Sequence, residues 1–112
     1  MTMRGEILEY PYNGTITRVI QGEGNQPDTE IIIYEGVMDN HMVTDEEGRT
    51  MQTASYIICI PLTKDNNGDW IIPQKGDKVS LVRYGNELFF EVDNAEPSQL
   101  GGVSIYAVRK HW

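Results

Sequence analysis

A chain of 112 residues, 39% of them hydrophobic, can build one domain over residues 1–112 with a single modest core and no metal or disulfide staple. Its formal charge of −8 excludes a protein that grips nucleic-acid phosphates through clustered Lys and Arg. Its only cysteine, Cys59, excludes an internal disulfide and a zinc–thiolate cluster.

Along the chain, turn residues dominate: eleven glycines, five prolines, and alanine only at Ala54, Ala95 and Ala107. The opening MTMRGEILEYPYNG lacks the apolar core of a secretory signal, and the most apolar run, Tyr56–Leu62, is about a third of a membrane span. A soluble protein that stays where it is made, in a reducing compartment, is expected.

A short strand at Glu6–Tyr10 precedes the first firm one, Thr15–Ile20 (TITRVI). Gln21–Asp28, with two glycines, a proline and no apolar residue, must be a loop. Thr29–Glu35 (TEIIIYE) is β-branched, and its three isoleucines predict burial on both faces. Residues 40–53 read as a hairpin with Asp45-Glu46-Glu47-Gly48 at its tip. Its arms carry too few apolar residues (Met42, Val43, Met51) to fill a core, so a weakly anchored, projecting arm is expected.

Ala54–Leu62 (ASYIICIPL) is the clearest strand, with Tyr56, Ile58, Ile60 and Leu62 on one face and Pro61 marking an edge or exit. Asn67-Gly68 suits a hairpin turn at positive φ; Trp70-Ile71-Ile72 then starts another strand, with Trp70 in the core, ended by Pro73. Residues 77–84, 87–93 and 103–110 alternate apolar and polar, separated by Gly85-Asn86 and Gly101-Gly102. Asn94–Leu100 has room for one helical turn. The reading is an all-β, small antiparallel barrel or sandwich of about seven or eight strands, with a projecting hairpin arm and little helix.

No catalytic constellation emerges. Cys59 lies in an apolar run, which raises a thiol's pKa and suits an inert, structural cysteine. Neither histidine neighbours a nucleophile in a recognisable motif. Asp65–Asp69 (DNNGD) lacks calcium-loop spacing: counting from Asp65, glycine falls at the fourth position and Gly76, not Glu, at the twelfth. Gly22-Glu23-Gly24 is a poor phosphate cradle, because a strand rather than a helix follows and Glu23 repels the ligand. An acid/base carboxylate pair would need a deep cleft that so short a chain has little material to build. No catalytic, cofactor-binding or metal-ligating residue is therefore assigned.

At Tyr34-Glu35-Gly36, Tyr56–Leu62 (YIICIPL), Lys75-Gly76-Asp77 and Gly101–Tyr106 (GGVSIY), the layout resembles the small β-barrel head-closure, or head–tail joining, proteins of tailed bacteriophages and prophages. The resemblance spans roughly residues 30–110, from a strand ending in a Tyr-Glu-Gly-like turn, through a polar arm and an apolar strand, to a Lys-Gly-Asp turn and a last strand. It departs at Asp93–Leu100 (DNAEPSQL), which looks like an insert. It implies a ring of subunits beneath the portal, contacting portal and tail components, present in the host cytoplasm during assembly and then in the virion. It implies no catalytic residue and no cofactor.

The leading expectation is thus a non-enzymatic structural protein that self-associates through edge strands and the 40–53 arm, without sequence-specific nucleic-acid or membrane binding. The interface residues expected are His41, Met42, Val43, Arg49, Met51 and Trp112, the last either an anchor or a plug folded back on the barrel. The alternative is a small ligand- or carbohydrate-binding module that stacks sugars on Tyr84, Tyr106 and Trp112.

Overall fold

The structure, a computed structural model, describes residues 11–42, 55–97 and 101–111, with the backbone alone at residues 41, 42 and 55. Those residues hold six strands and no helix: β1 (Tyr12–Ile20), β2 (Thr29–Met42), β3 (Ser55–Pro61), β4 (Lys78–Arg83), β5 (Asn86–Pro97) and β6 (Gly102–Lys110). All pair antiparallel in the order β1-β2-β3-β6-β5-β4. The sheet closes because β1 pairs with β4 as well as β2, Asn13–Thr17 running opposite Val82–Lys78. The all-β expectation therefore holds, and its alternative of barrel or sandwich resolves to a closed barrel. The described residues hold six strands, however, against the seven or eight expected, and a closed sheet leaves none of them as the free edge through which self-association was expected.

Closure turns the alternating pattern of each strand into one interior. Ile16, Tyr34, Met38, Tyr56, Ile58, Ile60, Val79, Leu81, Phe90, Val92, Val103, Ile105 and Ala107 are all buried there. The rings of Tyr56 and Phe90 meet edge to face at 5.0 Å. Gly14 is required on the inner wall: a Cβ there would lie 2.5 Å from both Met38 Sδ and the Ser80 carbonyl oxygen. Its missing side chain is what admits Met38 to the centre.

Two bulges reset the alternation, and each corrects an expectation. In the β1–β2 ladder Thr17 faces Ile32 and Ile16 faces Tyr34, leaving Ile33 unpaired. One extra residue reverses inside and outside. Ile32, which strict alternation would bury beside Tyr34, is instead 61% exposed, and Ile31 is exposed too. The triple isoleucine is not buried on both faces. In the β5–β6 ladder Asp93 is the extra residue, between Val92↔Ala107 and Asn94↔Tyr106. That shift keeps Asn94 outside and lets β5 continue to Pro97, so Asn94–Pro97 is strand rather than a helical turn. Residues 98–100 lie outside the described residues.

The expected strand at Trp70–Ile72 is not part of the barrel. After Pro61 the chain leaves the sheet and returns on itself: Lys64 and Trp70 form an isolated bridge, and the Ile71 N–H donates to the Thr63 carbonyl. The turn between them is built by Asp65, whose Oδ1 accepts the N–H groups of Asn67 and Asp69, with Gly68 at φ 85°. Trp70 is 53% exposed rather than core, while Ile71 and Ile72 pack against the core from the barrel's end. Only two residues then separate Trp70 from Pro73, too few for a ladder.

The expected arm at 40–53 begins inside the barrel: Asp39–Met42 pair with Cys59–Tyr56, and Asn40 is a buried interior residue. Residues 43–54, like the strand expected at Glu6–Tyr10, lie outside the described residues.

Candidate interaction surfaces

The Lys75-Gly76-Asp77 turn is a structural clamp. Gly76, at φ 92°, allows the Asp77 N–H to donate to the Gln74 carbonyl and the Gly76 N–H to donate to the Val92 carbonyl. Asp77 is thereby driven inward to 3% exposure. There its two carboxylate oxygens accept Arg18 Nε at 3.0 Å and Nη2 at 2.9 Å, and Oδ2 also accepts the Gln74 N–H at 2.8 Å. The hydrogen bond with Asp77 raises the Arg18 pKa, burial opposing it. This pair ties the β4 start to β1 across one end of the barrel.

Above that clamp lies a groove of about 400 Å3 between Ile31–Ile33 on β2 and Trp70–Ile72 on the returning loop, with Arg18 and Asp65 also in its wall. It exists because β3 pairs with β2 only opposite Asp39–Met42, so the first half of β2 is flanked by the loop instead of a strand. Lys64 Nζ sits 4.6 Å from the Trp70 ring centroid, a cation–π contact on the groove's rim. Ile20 is exposed at this same end, where Ile20 pairs with Thr29.

The opposite end is marked by the tight β4–β5 hairpin. Tyr84 (φ 51°) and Gly85 (φ 80°) both sit in the left-handed region, as a two-residue turn with the sheet's twist demands. Tyr84 projects with 83% of its surface exposed. The Arg83 guanidinium lies 5.6 Å from the Tyr12 ring and 5.4 Å from that of Tyr84, and the two rings meet edge to face. Desolvation and then a hydrogen bond with Tyr84 raise the Tyr12 hydroxyl pKa. Val37 and Val82, paired either side of Asn13, add exposed apolar surface behind this tip.

A second groove, of about 390 Å3, runs along the outer face of β1 and β4. Its carboxylates are engaged: Glu30 with Lys78 Nζ at 3.2 Å, and Glu87 with Ser80 Oγ at 2.7 Å. Both are exposed on an open sheet face, unlike the enclosed pair of a glycosidase. Cys59 is half-buried, and burial followed by the charge of Asp39 pushes its thiol up, a hydrogen bond with Ser104 offsetting part. Among the described residues no group of three or more His, Cys, Asp or Glu is placed to hold a metal ion, and no helix is long and apolar enough to cross a membrane.

Of the expected interface residues, His41 and Met42 are placed by backbone only, opposite Ile57 and Tyr56. Val43, Arg49, Met51 and Trp112 lie outside the described residues. Tyr84 and Tyr106 are both exposed but separate: one is at the β4–β5 tip, the other mid-strand on β6, with β5 between. The groove on β2 was hidden from sequence reasoning by the bulge at Ile33. Its one legible signal was the apolar surplus of Ile31-Ile32-Ile33 plus Trp70. No protein-family model and no curated protein matches the chain.

Proposed function

We propose that this chain is a non-enzymatic structural subunit of a tailed-phage or prophage head–tail connector, assembling with itself and with portal and tail components. The observation that carries the assembly reading is a filled, closed barrel that still leaves large apolar side chains outside at both ends. Ile20, Ile31, Ile32 and Trp70 are exposed at one end, Val37, Val82 and Tyr84 toward the other. A closed sheet has no internal use for them, and clustered apolar surface on a small acidic protein is characteristic of contact sites. The phage assignment is supported by the order of turns and strands described above, in which the Lys-Gly-Asp turn opens the β4–β5 pair. Such a subunit works in the host cytoplasm during assembly and then in the virion.

Sedimentation from micromolar to millimolar concentration, with and without a purified portal protein, tests this. Concentration-dependent association or portal binding is expected. Strict monomers that ignore the portal overturn it. The separation of Tyr84 from Tyr106 gives no support to a sugar-stacking platform.

A further inference from the structure

We propose that the barrel end beside the β4–β5 hairpin holds a small oxyanion on Asn40 and Arg109. The anion also carries a hydroxyl donor, as hydrogen phosphate or a hydroxy acid does. This goes beyond the assembly reading and does not depend on it. Three observations carry it.

The first is hydrogen-bonding capacity left unused in the interior. Asn40 is only 7% exposed, yet neither its Oδ1 nor its Nδ2 has a hydrogen-bond partner. Arg109 Nε is enclosed in the same condition. Buried polar groups are nearly always paired, with protein, with ordered water or with an ion. Orphaned atoms on two neighbouring side chains therefore mark an occupant that the described residues do not supply.

The second is placement. Arg109 continues the alternation of Val103, Ile105 and Ala107, all buried, and so faces inward on β6. It pairs with Phe90, whose ring meets that of Tyr56 at 5.0 Å. Tyr56 in turn pairs with Ala107 on β6 and Met42 on β2. The next inward position after Ala107 is Arg109, and the next before Met42 is Asn40. The two orphaned side chains thus flank one tyrosine, at a diagonal spacing that long side chains span. Arg109 is only half-buried, so the site reaches solvent at the barrel's end.

The third is the chemistry of the donor set. Arg109 carries a permanent positive charge, and no carboxylate pairs with it among the described residues. Arg83, the other arginine at this end, lies over the Tyr12 and Tyr84 rings and is not counted. The Arg109 Nε–H and the Asn40 amide N–H both need acceptors, whereas Asn40 Oδ1 needs a donor. A plain carboxylate meets the first need alone; an oxyanion with its own O–H meets both. The net charge of −8 gives anions no general attraction to this chain, so binding here is a property of these local groups.

The test is thermal unfolding of the full chain in inorganic phosphate, glycolate, acetate or sodium chloride at matched ionic strength. At about 20 mM, phosphate or glycolate raises the midpoint by at least about 4 °C over sodium chloride. The larger of those two rises separates a phosphate-type ligand from a hydroxy acid, and an equal rise in acetate refutes the need for a hydroxyl. Arg109→Met keeps the packing stem and Asn40→Val fills the inner position, and each removes the rise. A rise that survives in both variants puts the anion elsewhere, and a parent with no rise beyond that in chloride leaves these atoms to water; either result overturns the proposal. Since a variant can fail to fold, the Arg109 Nε–H resonance of the parent is followed in the same titrations. It moves and saturates with the anion in place. A signal that stays put in both phosphate and glycolate overturns the proposal whatever the variants do.

Discussion

Removing the Asp77 carboxylate should be among the most damaging single changes outside the apolar core. Asp77→Ala leaves the Arg18 guanidinium without its two-pronged acceptor and the Gln74 N–H without its bond. Breaking a buried ion pair by deleting one partner costs about 3–5 kcal/mol. Arg18 is 26% exposed and recovers some hydration, which lowers that figure, while the orphaned Gln74 N–H adds about 1 kcal/mol. A net loss of about 3 kcal/mol is expected, a large share of the roughly 5–15 kcal/mol available to a domain. Asp77→Asn keeps an acceptor for Gln74 and one neutral bond to Arg18, and should lose about 2 kcal/mol. Urea unfolding of Asp77→Ala, Arg18→Met and the double variant gives the coupling directly. The double variant should cost clearly less than the two singles combined, because neither charge is then left alone. The Arg18 pKa is raised on folding, so its contribution is complete below its ordinary, strongly basic value and is lost only as pH climbs through the still higher folded one. The pair's guanidinium side therefore adds no pH dependence near neutrality. A loss under about 1 kcal/mol for Asp77→Ala, or strict additivity in the cycle, refutes the clamp.

Gly14→Ala forces a Cβ to within 2.5 Å of Met38 Sδ and of backbone at Ser80; thermal or urea unfolding should show a loss of about 2 kcal/mol, and a neutral result means that the β1–β4 wall is softer than drawn. Asn40 is 7% exposed, with neither side-chain polar atom hydrogen-bonded among the described residues. Asn40→Val should therefore stabilise the fold by about 1 kcal/mol by removing two unpaired groups, whereas destabilisation would reveal a polar role for that position. The raised thiol pKa of Cys59 predicts slow iodoacetamide alkylation at pH 7, with a rate midpoint above that of an exposed cysteine. The same shift makes the folded state lose stability as pH rises past the unfolded thiol's pKa and on through the folded one. Alkylation as fast as a model thiol's would contradict it.

Much of the fold was legible from local pattern. The turns at Asn67-Gly68, Gly76 and Gly85 were marked by residues that tolerate positive φ, and all three glycines adopt it. The β4–β5 turn, however, falls on Tyr84-Gly85 rather than the expected Gly85-Asn86, and Asn86 opens β5. The Tyr56, Ile58, Ile60 face was readable because β3 is an uninterrupted strand with a period of two. The candidate surfaces were far less legible. Ile32 and Trp70 were expected inside, since apolar residues in strand-like runs ordinarily are. A single unpaired residue at position 33 reversed that for Ile32, and an isolated bridge to Lys64 did so for Trp70. Nor does a sequence say that Arg18 will meet Asp77, 59 positions away.

The sequence by itself determined the all-β class, the sites of the tight turns, most of the inward-facing side chains and the acidic balance. Each follows from interactions within a few consecutive residues or from composition. Tertiary structure alone decided that β1 closes the sheet onto β4, where the two bulges fall, and which isoleucines face solvent. Strand partners are chosen by the sum of many distant contacts, and one extra residue in a ladder exchanges inside for outside without changing the local pattern that encoded the strand.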